Sequence, residues 1–149
     1  YTKSDILPPQ YLAPGSSVIK SIVGEGTEVY GEIESSVIGS GVSIGKGAVV
    51  KNSIIMNGAV IGDGAVIDKA IIAEGVTIGA NSELGVGEEV PNEFAPHIYS
   101  FGLVTIGENS VIPANVKIGK NVAIFGETTV DEYPDGLLKS GSSIIKVGE

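Results

Sequence analysis

The sequence predicts an all-β fold, a single-stranded parallel β-helix of triangular section, and three observations carry that prediction. Aliphatic residues recur at fixed spacing through most of the chain, Gly or Asn stands three places after many of them, and the clearest intervals repeat as six, six and five. The unit is therefore 17 residues. A helix would need a period near 3.6 and a half-buried strand a period of 2. A chain that makes a short strand, turns a corner and repeats fits instead, with three sides to a coil. Residues 17 apart then stack on neighbouring rungs separated by about 4.8 Å.

The elements follow in order. Residues 1–11 are expected to be an entry segment or linker ahead of the coils. Residues 12–84 form the first block of coils, opened by Leu12, Val18, Val23, Val29 and Ile33, a series with one shortened interval. The block continues with Ile38, Ile44, Val50, then Ile55, Ile61, Ile67, then Ile72, Ile78, Leu84. Each of these is assigned to the interior. Gly15, Gly26, Gly41, Gly47, Gly58, Gly64, Gly75 and Gly87, with Asn81, Asn109, Asn115 and Asn121, are assigned to corners, because Gly and Asn accept left-handed backbone angles most cheaply. Val18–Val23, Ile33–Ile38, Val50–Ile55 and Ile67–Ile72 each span a shortened corner.

The pattern breaks over residues 85–103, an inserted loop with two of the three Phe and the single His; its candidate residues are Phe94, His97, Tyr99 and Phe101. Ile106, Ile112, Ile118, Ile124 and Val130 resume the coils over 104–130. Residues 131–149, with the apolar pairs Leu137-Leu138 and Ile144-Ile145, are expected to cap the last coil, since an open end is a bare sheet edge.

Composition narrows the function. All nine basic residues are Lys, the net charge is −9 and there is no Cys. No guanidinium is available for bidentate phosphate or guanine contacts, which argues against nucleic acid as a partner. Thiolate metal sites, disulfides and Cys nucleophiles are excluded, and no apolar run reaches the roughly 18 residues of a spanning helix. Glycine, with 22 residues, is about twice its usual share. The chain opens on Tyr1 rather than Met and is expected to be a piece of a longer protein.

Candidate chemistry is sparse. A His on a protruding loop of such a solenoid could serve as general base in acyl transfer from an acyl-CoA, which makes His97 a candidate; the alternative is an ordinary loop residue. A three-His zinc site cannot be built from one His. Gly45-Lys46-Gly47 and Gly62-Asp63-Gly64 recur with the hexad and lead into no helix, so they are not phosphate loops. Lys51 beside Asp68 and Lys46 beside Asp63 are expected as solvated charge ladders, and an anion site is the other option. The strongest surface feature is a row of outward aliphatics, Ile22, Val37, Ile54 and Ile71, on one side of the prism. It is read as a contact face for another domain or subunit, against the simpler view that β-branched residues favour strands wherever they point.

Leu7-Pro8-Pro9-Gln10-Tyr11, Ser36-Val37-Ile38, Val49 to Met56, Ala70-Ile71-Ile72, Val90-Pro91-Asn92, Pro96 to Ser100 and Gly102 to Gly107 resemble the C-terminal β-helix of bacterial ADP-glucose pyrophosphorylase, glucose-1-phosphate adenylyltransferase. The resemblance implies a left-handed β-helix joined to an N-terminal nucleotidyltransferase domain that uses ATP and magnesium to make ADP-glucose and diphosphate for glycogen synthesis. It implies a cytoplasmic homotetramer, with the β-helix packing on its own catalytic domain and on other subunits and helping to transmit allosteric effectors. No catalytic, cofactor or metal residue is implied within this chain, and His97 receives no catalytic role. The same domain of another sugar-nucleotide pyrophosphorylase and the acyl-CoA-dependent acyltransferase remain alternatives.

Overall fold

The computed structural model describes residues 11–86, 102–128, 133 and 136–145. Every named strand lies in one of three parallel sheets, and no α-helix occurs among the described residues. Face A stacks Tyr11–Leu12, Glu28–Val29, Ser43–Ile44, Val60–Ile61, Thr77–Ile78 and Val111–Ile112. Face B stacks Ser17–Ile19, Glu32–Glu34, Val49–Lys51, Val66–Asp68, Glu83–Val86, Lys117–Gly119 and Leu137–Leu138. Face C stacks Ile22–Val23, Val37–Ile38, Ile54–Ile55, Ala70–Ile72, Val104–Ile106, Val122–Phe125 and Ser143–Ile145. The chain visits A, B and C in rotation through about seven turns of a triangular β-solenoid.

The core is the axis of the prism. Val29, Ile33, Ile38, Ile44, Val50, Ile55, Ile61, Ile67, Ile72, Ile78 and Leu84 are each at most 2% exposed, and Ile106, Ile112, Ile118 and Ile124 extend the column. The first coil departs from the expectation: Leu12 is 44% exposed and Val18 and Val23 are half-buried. No described coil lies beneath them, so the inward position is not an enclosed one. Val130 and Gly87 lie outside the described residues.

Backbone angles explain the corners. The described Gly corners from Gly15 to Gly75 have φ between 67° and 87°, and Asn81, Asn109, Asn115 and Asn121 between 55° and 61°. A second set was not legible in the sequence: Lys20, Ser35, Asn52 and Lys69 also take φ near 50° at the short B-to-C corner. A compact turn imposes the left-handed angle there on ordinary side chains. The position after each long corner must be small, because it points into the angle of the prism; Val42, Ala48, Ala59, Ala65, Val76, Ser82, Ser110 and Val116 occupy it, all buried.

Serines organise the short corner. Ser36 and Ser53 donate their hydroxyls to the carbonyls of Glu34 and Lys51, and Ser21 does the same to Ile19. Each hydroxyl oxygen then accepts the N–H of the next coil: Ser36 on Ser21, Ser53 on Ser36, Ala70 on Ser53. The ladder stops at Ala70, which has no hydroxyl, and Val104 above it donates its N–H to the Lys69 carbonyl at 2.9 Å. This is the corner the insertion replaces. The chain leaves it through Gly85, φ 86°, with a register shift between Leu84 and Val86. It returns at Gly102, whose buried N–H donates to Asn121 Oδ1 at 2.8 Å. Departure and return at one corner let Ala70–Ile72 pair directly with Val104–Ile106.

The tail continues the stack. Leu137–Leu138 pairs with Lys117–Ile118 on face B, and Ser143–Ile145 with Ala123–Phe125 on face C. Tyr133 is 2% exposed and its hydroxyl lies 2.8 Å from Thr128 Oγ1.

Candidate functional site

The three faces differ in what they show to solvent. Strand side chains alternate, so the residues flanking each inward aliphatic form the outward rows of a face. Face A shows Tyr11, Glu28, Ser43, Val60, Thr77 and Val111. Face B shows Ser17, Glu32, Val49, Val66, Glu83, Lys117 and Leu137, and beside them a second row, Ile19, Glu34, Lys51 and Asp68. Face C shows Ile22, Val37, Ile54, Ile71, Thr105 and Ser143, a row without a charged residue on a chain of net charge −9; Ala123 holds the same register but is buried.

The sequence-derived contact residues are brought together as expected from alternation. Ile22 is 69% exposed, Val37 47% and Ile54 44%, each in register with the next. Ile71 continues the row but is only half-buried rather than open. Met56, 40% exposed, sits two residues from Ile54 and widens the stripe. Val60 and Val66 are also exposed, on the other two faces, but their rows include Glu28 and Glu32. The four loop candidates, Phe94, His97, Tyr99 and Phe101, lie outside the described residues.

The proposed charge ladders take a different form. Asp63 Oδ1 accepts the backbone N–H of Lys46 at 2.9 Å, so this aspartate caps the corner below it instead of pairing with the ammonium. Asn57 does the same for Ser40 at 2.9 Å. Asp68 pairs in register with Lys51, and its Oδ1 accepts from Asn52 Nδ2 at 3.3 Å. An ion pair forms elsewhere, between Lys117 Nζ and Glu83 Oε2 at 3.9 Å, with both side chains substantially in solvent. Pairs of that kind contribute about 0–1 kcal/mol. Among the described residues no three His, Cys, Asp or Glu gather closely enough to hold a metal, and no helix is long and apolar enough to cross a membrane. What this surface offers is contact and hydrogen bonding.

A prism of hexad coils with small buried residues after each long corner and an insertion at one turn defines the hexapeptide-repeat class of β-solenoid. The chain belongs to the family described as GlmU-like, C-terminal hexapeptide, whose sequence model matches residues 12–106. Over 149 residues, all of this chain, it is 63% identical to glucose-1-phosphate adenylyltransferase of Lachnospira eligens, of which it covers 35%. The enzyme of the same name from Acetivibrio thermocellus is 42% identical over 149 residues, again 100% of this chain and 35% of the relative. That of Thermotoga maritima is 54% identical over 145 residues, 97% of this chain and 34% of the relative. The resemblance to glucose-1-phosphate adenylyltransferase noted in the sequence is thereby borne out, and the chain spans about a third of the length of these relatives.

Solved structures agree on the fold. The acetyltransferase domain of PglB from Neisseria gonorrhoeae superposes with a TM-score of 0.53 at 17% identity, covering 89% of this chain and 55% of that one. A hexapeptide transferase family protein from Anaplasma phagocytophilum gives a TM-score of 0.51 at 16% identity, covering 90% and 72%. At such identities the likeness speaks for the architecture alone.

Proposed function

We propose that this solenoid is the C-terminal β-helix domain of a glucose-1-phosphate adenylyltransferase, serving interdomain packing, oligomerisation and the transmission of allosteric effects. The observation that carries the reading is the sequence likeness across all 149 residues to proteins of that name. In this reading a separate nucleotidyltransferase domain converts ATP and glucose 1-phosphate to ADP-glucose and diphosphate. That domain supplies the ATP and magnesium sites, and the assembly is a cytoplasmic tetramer working in glycogen synthesis.

The uncharged row on face C supports such a role. A surface that must meet another domain or subunit loses least when it has few charges to desolvate. Ile22, Val37 and Ile54 are the aliphatic side chains most open to water on that row. Burying each would contribute about 1.5–3 kcal/mol before the cost of association.

The test is made on the complete protein that carries this chain. It should form ADP-glucose and diphosphate from ATP and glucose 1-phosphate in a magnesium-dependent reaction. A complete protein with no nucleotidyltransferase domain, or one that acetylates an amine from acetyl-CoA and loses that activity in His97→Ala, overturns the proposal.

A further inference from the structure

The second coil is shorter than its neighbours, and the shortage falls on one corner. The inward residues of faces A and B are Leu12 and Val18 in the first coil, Val29 and Ile33 in the second, and Ile44 and Val50 in the third, so the corner spans six, four and six residues. The pairing reflects it: Tyr11 meets Glu28 across 17 positions, but Ser17 meets Glu32 across only 15. Two missing residues leave a notch between the corners above and below.

Gly31 forms the floor. Its backbone lies so close to the carbonyl oxygen of Ala48 that a Cβ would overlap it. The groove has a volume of about 600 Å³, bounded below by Pro14-Gly15 and above by Lys46-Gly47. Tyr11 and Tyr30 line its side, 49% and 41% exposed, with ring centroids 5.8 Å apart and planes inclined at 53°. Glu32 and Lys46, both exposed, bring a carboxylate and an ammonium to the same groove.

Each part selects a property of the ligand. Exposed tyrosine faces, negative at their centres, favour the polarised C–H groups of a saturated ring. A carboxylate accepts hydrogen bonds from hydroxyls while an ammonium donates to them, and a hydroxyl pair on one ring satisfies both. An anionic ligand would meet Glu32 and the field of a chain with net charge −9. We propose that this notch binds a neutral pyranose of an oligosaccharide, stacked on Tyr30 and Tyr11 and held through its hydroxyls by Glu32 and Lys46. The inference is independent of the adenylyltransferase reading, since no catalytic domain is needed for it.

The test is a titration of the 149-residue chain with maltotriose, followed through amide chemical shifts. Binding in the millimolar range is expected, the weak class to which a few stacking and hydroxyl contacts belong. The shifts should concentrate at Tyr11, Tyr30, Gly31, Glu32 and Lys46. Tyr30→Ala should weaken binding by about ten-fold or more, and Glu32→Gln by several-fold, with the amide spectrum otherwise retained. Inserting two residues between Tyr30 and Gly31 should restore a full corner and abolish binding; retained strand signals would show that the coil still forms. No shifts with maltotriose, shifts spread over other faces, full affinity in both Tyr30→Ala and Glu32→Gln, or tighter binding of glucose 6-phosphate than of glucose would each overturn the proposal.

Discussion

At the scale of single residues, corners and ladders make opposite demands. Gly58 has φ 73° and open space where a Cβ would sit, so the penalty for a side chain there is conformational and not steric. Gly58→Val is expected to cost about 2 kcal/mol or more, because a β-branched residue is penalised at positive φ. Gly58→Asn should cost much less, since Asn109 occupies the same corner further along the stack at φ 56°. Thermal unfolding of the two variants checks the difference, and equal midpoints would refute the corner assignment. Ser53 is demanding for another reason. Its hydroxyl donates to Lys51 and accepts from Ala70, and it is 3% exposed. Ser53→Ala leaves a buried N–H without its acceptor, which should cost about 1–3 kcal/mol. Ser21→Ala, at the half-buried start of the ladder, should cost less in the same denaturant titration.

At the scale of elements, the face-C row predicts a separation of folding from association. Ile54→Lys with Ile71→Lys replaces side chains on the outward row, so the coil should retain its unfolding midpoint within about 1 kcal/mol. Assembly of the complete protein should weaken, as read by mass from light scattering; unchanged mass would count against the contact role. The inward column, the long corners and this outward row were legible because a period of six with an alternating strand determines which way each side chain points. The short corner was legible in its position but not in its left-handed angle. Lys20 and Lys69 carry no compositional sign of a left-handed angle, and only closure of the turn imposes it. The serine ladder was hidden for a related reason: its partners are main-chain groups one coil away, and a hydroxyl beside a shortened corner reads as a surface residue. Asp63 misled similarly, since a carboxylate stacked above Lys46 suggests a side-chain pair until the free N–H of the corner is counted.

At the scale of the whole molecule, a solenoid is a stack in which each coil touches only its neighbours, so stability is approximately a sum of coil and interface contributions. Position along the axis therefore decides what a core deletion costs. Ile61 lies between coils above and below, is 1% exposed, and its strand pairs on both sides with Ser43–Ile44 and Thr77–Ile78. Ile61→Ala should destabilise by about 2–5 kcal/mol, the transfer term plus the cavity left behind. Leu12 holds the same inward position on face A but is 44% exposed, and among the described residues its strand pairs only with Glu28–Val29. Leu12→Ala should cost about 1 kcal/mol or less, because much of the side chain never leaves water. Native-state amide exchange reads the same gradient without substitution. The N–H groups of Val60, Gly62 and Val66, each bonded to a coil that is itself paired further on, should exchange most slowly, whereas those of the first coil, such as Ser17 and Ile22, should open by local fraying of the end. Uniform protection from the first coil to the middle would mean that the chain unfolds as one cooperative block, and it would refute the additive stack.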